Sequence, residues 1–228
     1  MLKISIFLLM INGYDNNPIP DVTTHMTTPL QTVLSAIDNI NKTDTNITLV
    51  DGIEMPKELI YGQRMSQCLA IHWTDSSELL QIAVRGQHIK RWHLKRSEFE
   101  QGKAGYYQWR IALGKFHGEL TAAIMLESGY TAEQAEQTAA IIRKDLIRQK
   151  KAKVNDDSQT LEDVACLVFL EHYFDEFSAQ YIADNNEEKI IRIVKLTWGK
   201  MSERGHEIAL TLTLPDHLAA IVGKALAS

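Results

Sequence analysis

Leu161-Glu162-Asp163-Val164-Ala165-Cys166-Leu167-Val168-Phe169-Leu170-Glu171-His172-Tyr173-Phe174-Asp175-Glu176-Phe177 is the stretch on which the fold turns. It carries few residues suited to a surface, which predicts a long helix at the centre of the molecule rather than on its rim. Its first turn nonetheless holds two carboxylates, Glu162 and Asp163. A helix dipole favours acids there whatever their role. A buried acid pair entering the core is also what a metal site or a guanidinium clamp requires.

Other helices read outward from this one. Thr28-Pro29 followed by Leu30, Val33, Leu34 and Ile37 gives a cap, a proline in the first turn and apolar residues at helical spacing. Residues 39–51 are rich in Asn, Thr and Asp and predict a loop, with a second helix starting near Pro56. Asp75-Ser76-Ser77-Glu78 caps a third helix whose apolar positions run on to Ile89. After a polar loop over 95–105, a fourth helix spans about Tyr106 to Ser128 and stops at Gly129. A fifth opens at Thr131 and ends in a basic run from Arg143 to Lys153, after which Asn155-Asp156-Asp157-Ser158 breaks the chain. Further helices are expected over 186–201 and after Pro215, with one strand candidate over Ile208–Leu214, where β-branched residues alternate. The fold class is therefore all-α, a single multi-helix bundle over residues 29–228.

Composition limits the function. The hydrophobic share of 45% and charged share of 23% over 228 residues are ordinary for a globular chain, and the net charge of -5 leaves no global basic field to hold nucleic acid. Cys68 and Cys166 are far apart and each sits in an apolar helical pattern, so both are expected as reduced core residues, consistent with a cytoplasmic location. The apolar run over residues 1–10 is far too short to span a bilayer and precedes no small-x-small cleavage site, so no membrane partner is expected. Residues 1–28 are expected as a poorly ordered or non-conforming extension, with Met26 as an alternative start.

Candidate site residues gather around Gln87-His88-Ile89-Lys90-Arg91-Trp92. On a continuous third helix, Arg85, His88 and Trp92 share one stripe. Its bland reading is a core tryptophan, a salt-bridged arginine and a hydrogen-bonded histidine. The fourth helix adds Trp109-Arg110 and Phe116-His117-Gly118-Glu119. Two histidines and an aspartate on three helices suit a divalent ion bound between them, and the intervals of 29 and 46 residues separating His88, His117 and Asp163 resemble those of the HD-domain metal-dependent phosphohydrolases. The pattern departs at Gly118, where the dyad's aspartate should stand, and Glu119 faces another side of the helix. The run Arg143-Lys144-Asp145-Leu146-Ile147-Arg148-Gln149-Lys150-Lys151 reads as a solvated helix end, or, with Arg85, Lys90, Arg91, Lys95 and Arg96, as a patch for phosphate or RNA.

Several blocks in one order carry a wider resemblance: Pro56-Lys57-Glu58-Leu59, Arg64-Met65-Ser66, Gln87 to Trp92, Gly105-Tyr106, Trp109-Arg110, Phe116-His117 and Leu161 to Glu171. From about Leu30 onward the chain resembles the domain of unknown function 4202 family. The resemblance implies that these polar residues gather at one site and supplies no mechanism. Members of that family often carry an Arg-x-x-Tyr-Pro pattern, and Arg96-Ser97-Glu98-Phe99-Glu100 lacks both the tyrosine and the proline.

Three expectations follow. In the first, the chain is a metal-dependent hydrolase of a phosphorylated or nucleotide-like substrate. His88, His117 and Asp163 would hold a divalent metal ion, Glu162 or Glu119 would act as general base, and Arg85, Arg91, Trp92, Arg110 and Lys144 would bind substrate. In the second, the same Arg/His/Trp surface is a non-catalytic module for a small anionic ligand or RNA. In the third, the cluster ties helices together through ion pairs of Arg85 and Arg110 with Glu162 and Asp163.

Overall fold

The Thr28 hydroxyl accepts a hydrogen bond from the Gln31 amide while the Gln31 side chain accepts one from the Thr28 amide, and Pro29 follows at the first helical position. This reciprocal cap starts α1 (Pro29–Asn41), as its sequence predicts. The structure, a computed structural model, describes residues 27–149, 156–183 and 186–227. Residues 1–26 of the expected extension and the basic run beyond 149 lie outside them.

After α1 come a two-stranded antiparallel hairpin, β1 (Ile47–Val50) and β2 (Ile53–Pro56), and then α2 (Lys57–His72) and α3 (Glu78–Gly86). Next stand two 3-10 turns at Arg91–His93 and Arg96–Glu98, followed by α4 (Gly102–Glu127), α5 (Ala132–Arg143) and the short α6 (Asp145–Arg148). The rest of the described chain is α7 (Asp157–His172), α8 (Phe174–Ala183), α9 (Glu187–Trp198), α10 (Glu203–Ala209) and α11 (Asp216–Ala227). The fold is all-α with one small ribbon.

Helix α7 is central, as expected from its apolar sequence: Leu161, Val164, Leu167 and Val168 are sealed from solvent. They anchor a large core that also takes Met65 and Leu69 of α2, Leu80 and Val84 of α3, and Ile190 and Val194 of α9. A second cluster joins Val33 and Ile37 of α1 to Ile82 of α3 and Met125 of α4. Helix α3 buries side chains in both clusters, which lets one nine-residue helix join them.

Four local expectations are corrected. Helix α3 stops at Gly86, so Arg85, His88 and Trp92 share no helical stripe. Residues 87–90 turn instead, with Lys90 left-handed at φ 51. A Cβ on Gly86 would stand 2.6 Å from the Thr121 hydroxyl, so only glycine lets α3 approach α4 there. The expected loop over 39–51 contains β1, whose turn at Asp51-Gly52 (φ 50 and 81) suits a tight hairpin. The central helix is two: Tyr173 leaves helical dihedrals (φ -127, ψ -14) between α7 and α8. Residues 208–214 form no strand, because Ser202 caps α10 by accepting from the Gly205 amide and α10 takes up Ile208 and Ala209.

Candidate ligand-binding site

A cavity of about 630 Å³ opens between α2, α4, α7, α8 and α9, within the range of small-molecule sites. Its floor follows from helical spacing: Glu162, Cys166 and Phe169 lie at positions four and three residues apart along one face of α7. Asp163, one residue on, must point elsewhere.

One wall is the turn after α3. Its backbone is held from two sides by buried side chains. The Asn41 carbonyl oxygen accepts from the Lys90 amide at 2.9 Å, and His117 Nδ1 donates to the Ile89 carbonyl at 2.7 Å. This turn sets His88 against α2, where its ring stacks on Tyr61 with centroids 4.1 Å apart. Gln87 donates to the Tyr61 hydroxyl. Arg91 Nη1 donates to His88 Nε2 at 3.4 Å, so the neutral imidazole carries its proton on Nδ1 and donates it to Glu58 Oε2 at 3.2 Å. Arg91 Nε is 3.8 Å from the other Glu58 oxygen, and its guanidinium lies 4.9 Å from the centre of the Trp109 ring.

Burial tunes these groups. It pushes the Glu58 carboxyl up to about 7, against the pull of Arg91. It drives His88 well below its ordinary value, helped by the charges of Arg91 and Arg110, so the ring is neutral near pH 7. Glu58 is thus a carboxyl able to exchange a proton near neutrality at the cavity wall.

The opposite end is cationic. Lys144, left-handed at φ 57 between α5 and α6, reaches Glu162 with Nζ 2.7 Å from Oε2. Burial alone would raise the Glu162 carboxyl. The Lys144 ammonium outweighs it, with help from Lys200 and Arg110, and holds Glu162 ionised below the usual range. A carboxylate so held is a poor proton acceptor. Arg110 lines the cavity, is exposed, and makes no hydrogen bond or ion pair among the described residues. Lys57 and Lys200 also line it.

Of the residues expected at the site, His88, Arg110, Lys144 and Glu162 come together in this cavity, and Arg91 stands behind His88 and Glu58. The others do not. Arg85 pairs with Asp38 at 3.4 Å, and Trp92 is half-buried outside the cavity. Glu119 is an exposed α4 residue 3.8 Å from Lys115. His117 is 2% exposed and does not line the cavity, and burial lowers it to about 3 despite its bond to Ile89. Asp163 accepts from the Ser202 amide at 2.8 Å, from the Ser202 hydroxyl and from Gln159 at 3.0 Å, bracing α10.

The expected ligand set His88, His117 and Asp163 is therefore not assembled, and among the described residues no three His, Cys, Asp or Glu stand as a metal-binding group. Gly118 has a packing reason: a Cβ there would lie 3.1 Å from the Ala139 carbonyl of α5. Part of the expected basic patch is paired with carboxylates. Arg143 is paired with Glu136 and Asp145, Arg85 with Asp38, and Arg91 with Glu58. Arg110 is likewise absent from any ion pair with Glu162 or Asp163.

Residues 31–222 match the family described as Domain of unknown function (DUF4202). The chain belongs to that family. No curated protein and no solved structure matches it, and no helix among the described residues is long and apolar enough to cross a membrane. The DUF4202 blocks quoted above contain Glu58, but Tyr61 and Lys200 fall outside them, and none of the three was assigned a role from sequence. For Glu58 and Tyr61 a signal was present: three residues apart in the first turns of a helix that starts after Pro56, they share one face. Lys200 lies in the turn after α9, and no sequence signal marks it.

Proposed function

We propose that this DUF4202 domain binds a small anionic ligand, such as a phosphate-bearing metabolite, in the cavity between α2, α4, α7 and α9. The observation that carries this reading is Arg110. It is a guanidinium on the cavity lining with no carboxylate partner among the described residues, beside Lys144 and Lys200. Of the three acids that line the same space, Glu162 is neutralised by Lys144, Glu58 is half protonated near pH 7, and Glu176 is exposed and set against Lys57, Lys200 and Arg110. The balance left for a ligand is positive. Planar guanidinium donors suit phosphate and carboxylate oxygens.

The metal-dependent hydrolysis expected from spacing keeps only its ligand class, because Asp163 is turned to Ser202 and His117, though its ring is 6.0 Å from that of His88, is bonded to the Ile89 carbonyl. The RNA reading has less to draw on, since Arg143 of its patch is paired with Glu136 and Asp145.

Titration calorimetry with inorganic phosphate tests the proposal. Arg110→Glu should weaken binding at least tenfold, since a charge-assisted hydrogen bond contributes roughly 1.5–3 kcal/mol, and should leave the circular dichroism spectrum intact because the residue is exposed. Unchanged phosphate affinity in that variant would sink the reading.

A further inference from the structure

The cavity is not uniformly polar, and its gradient follows from two helical stripes. On α7 the lining changes from Glu162 through Cys166 to Phe169, seven residues or about 10 Å along the axis. On α9 and the turn after it, the lining changes from Ile193 through Leu196 and Thr197 to Lys200. Two hydrogen bonds set the register between them: Gln159 donates to the Lys200 carbonyl at 2.8 Å, and the Cys166 thiol to the Thr197 carbonyl at 3.7 Å. Advancing along α7 therefore means retreating along α9.

Both stripes then run from charged to apolar in the same direction through space. The charged end holds the Lys144–Glu162 pair with Lys200 and Arg110, whose charges act on that same carboxylate. The far end is rich in aromatic rings, with the exposed Glu176 at its rim: Phe169 and Phe177 meet edge to face with centroids 5.6 Å apart, and Tyr173 stands 5.8 Å from Tyr61. Helix α8, turned at Tyr173, is what brings Phe177 to the same cavity as Phe169.

A bare phosphate would engage only the charged end and leave the aromatic end wet. We infer that the ligand is an amphiphilic organic anion, a phosphate ester with a flat, ring-bearing apolar body. Its phosphate meets Arg110, Lys144 and Lys200, and its ring lies against Phe169, Phe177 and Leu196. Aromatic side chains favour a flat partner through offset or edge contacts as well as through the area they bury. The inference rests on the anion-binding reading above and extends it from a charge to a shape.

Calorimetric titrations of the full chain with 1-naphthyl phosphate, inorganic phosphate and 1-naphthol test it. The naphthyl ester should bind at least tenfold more tightly than inorganic phosphate, and more tightly than naphthol. Phe169→Ala should remove most of that advantage while leaving inorganic phosphate binding unchanged. Phe169 packs against the core, so Leu196→Asn, which adds no charge near Lys200, serves as a second variant: Leu196 is 59% exposed, and its replacement leaves the core untouched. It should also weaken only the ester. Phosphate binding that depends on Arg110, with no gain from the naphthyl ring, would overturn this inference and leave the anion site standing. Ester binding that survives Arg110→Glu but is lost in Leu196→Asn would overturn the anion site and this inference with it.

Discussion

Asn41 ends α1 with both ends of its side-chain amide in use. Its oxygen accepts from the Lys90 amide, and its nitrogen donates to the Glu58 carbonyl at 3.4 Å. It is 1% exposed, so each lost bond would leave a backbone group without water to replace it. Asn41→Ala should lower unfolding free energy by about 1–3 kcal/mol for each group left bare, read from urea denaturation, and should weaken phosphate binding by loosening the turn that carries His88. A variant as stable as the parent would show that the amide is dispensable. In sequence Asn41 was one polar residue in a run that resembles a loop, and nothing local marks a residue whose partners are 17 and 49 positions away. Glu162 and Asp163 show the same limit from the other side. Their entry into the core was legible from the apolar helix behind them. Which of two adjacent acids faces the cavity and which faces α10 depends on the helix's rotation against its neighbours, and only packing sets that.

At the scale of elements, what was legible was whatever is encoded locally. The caps at Thr28, Ser77 and Thr131 start α1, α3 and α5 where their side chains accept from amides three residues on. The hairpin was encoded just as locally, by Asp51-Gly52 between short apolar runs, but the polar stretch before it masked the signal. The break after Gly86 was not local at all: the turn behind it is held by Asn41 of α1 and His117 of α4, and Gly86 itself packs against Thr121 of α4. Gly118 belongs to the same kind of contact, between α4 and α5. Gly118→Asp would restore the acid of a His-Asp pair in sequence, yet it would force a side chain against the Ala139 backbone and bury a charge with no partner. It should cost about 3 kcal/mol or more, seen as a large drop in Tm. A variant that melts like the parent would mean α4 and α5 can part easily.

For the whole molecule, Glu58 couples folding to pH. Its folded-state value, raised from 4.5 to about 7, means that the native protein holds a proton the unfolded chain releases. Stability from this group is present below about 4.5, falls as pH rises from there to about 7, and is level beyond. The fall is on the order of 3 kcal/mol, at 1.36 kcal/mol per unit. His88 and His117, both lowered, act oppositely, favouring the folded state as pH rises toward 6.5. The informative quantity is therefore a difference: Glu58→Gln should gain stability relative to the parent between pH 5 and pH 7.5, measured by denaturant titration at each pH. A difference that stays flat over that range would mean Glu58 titrates normally in the folded state.

The Arg91–Trp109 stack has an optical consequence. Trp109 donates its indole proton to the Leu94 carbonyl at 3.0 Å and lies beneath a guanidinium that also touches Glu58 and His88. Indole emission responds to a nearby charge, so a proton gained by Glu58 or an anion arriving beside Arg110 would register in the emission of Trp109. The domain carries its own fluorophore beside the cavity, and a ligand screen can be run on unlabelled protein.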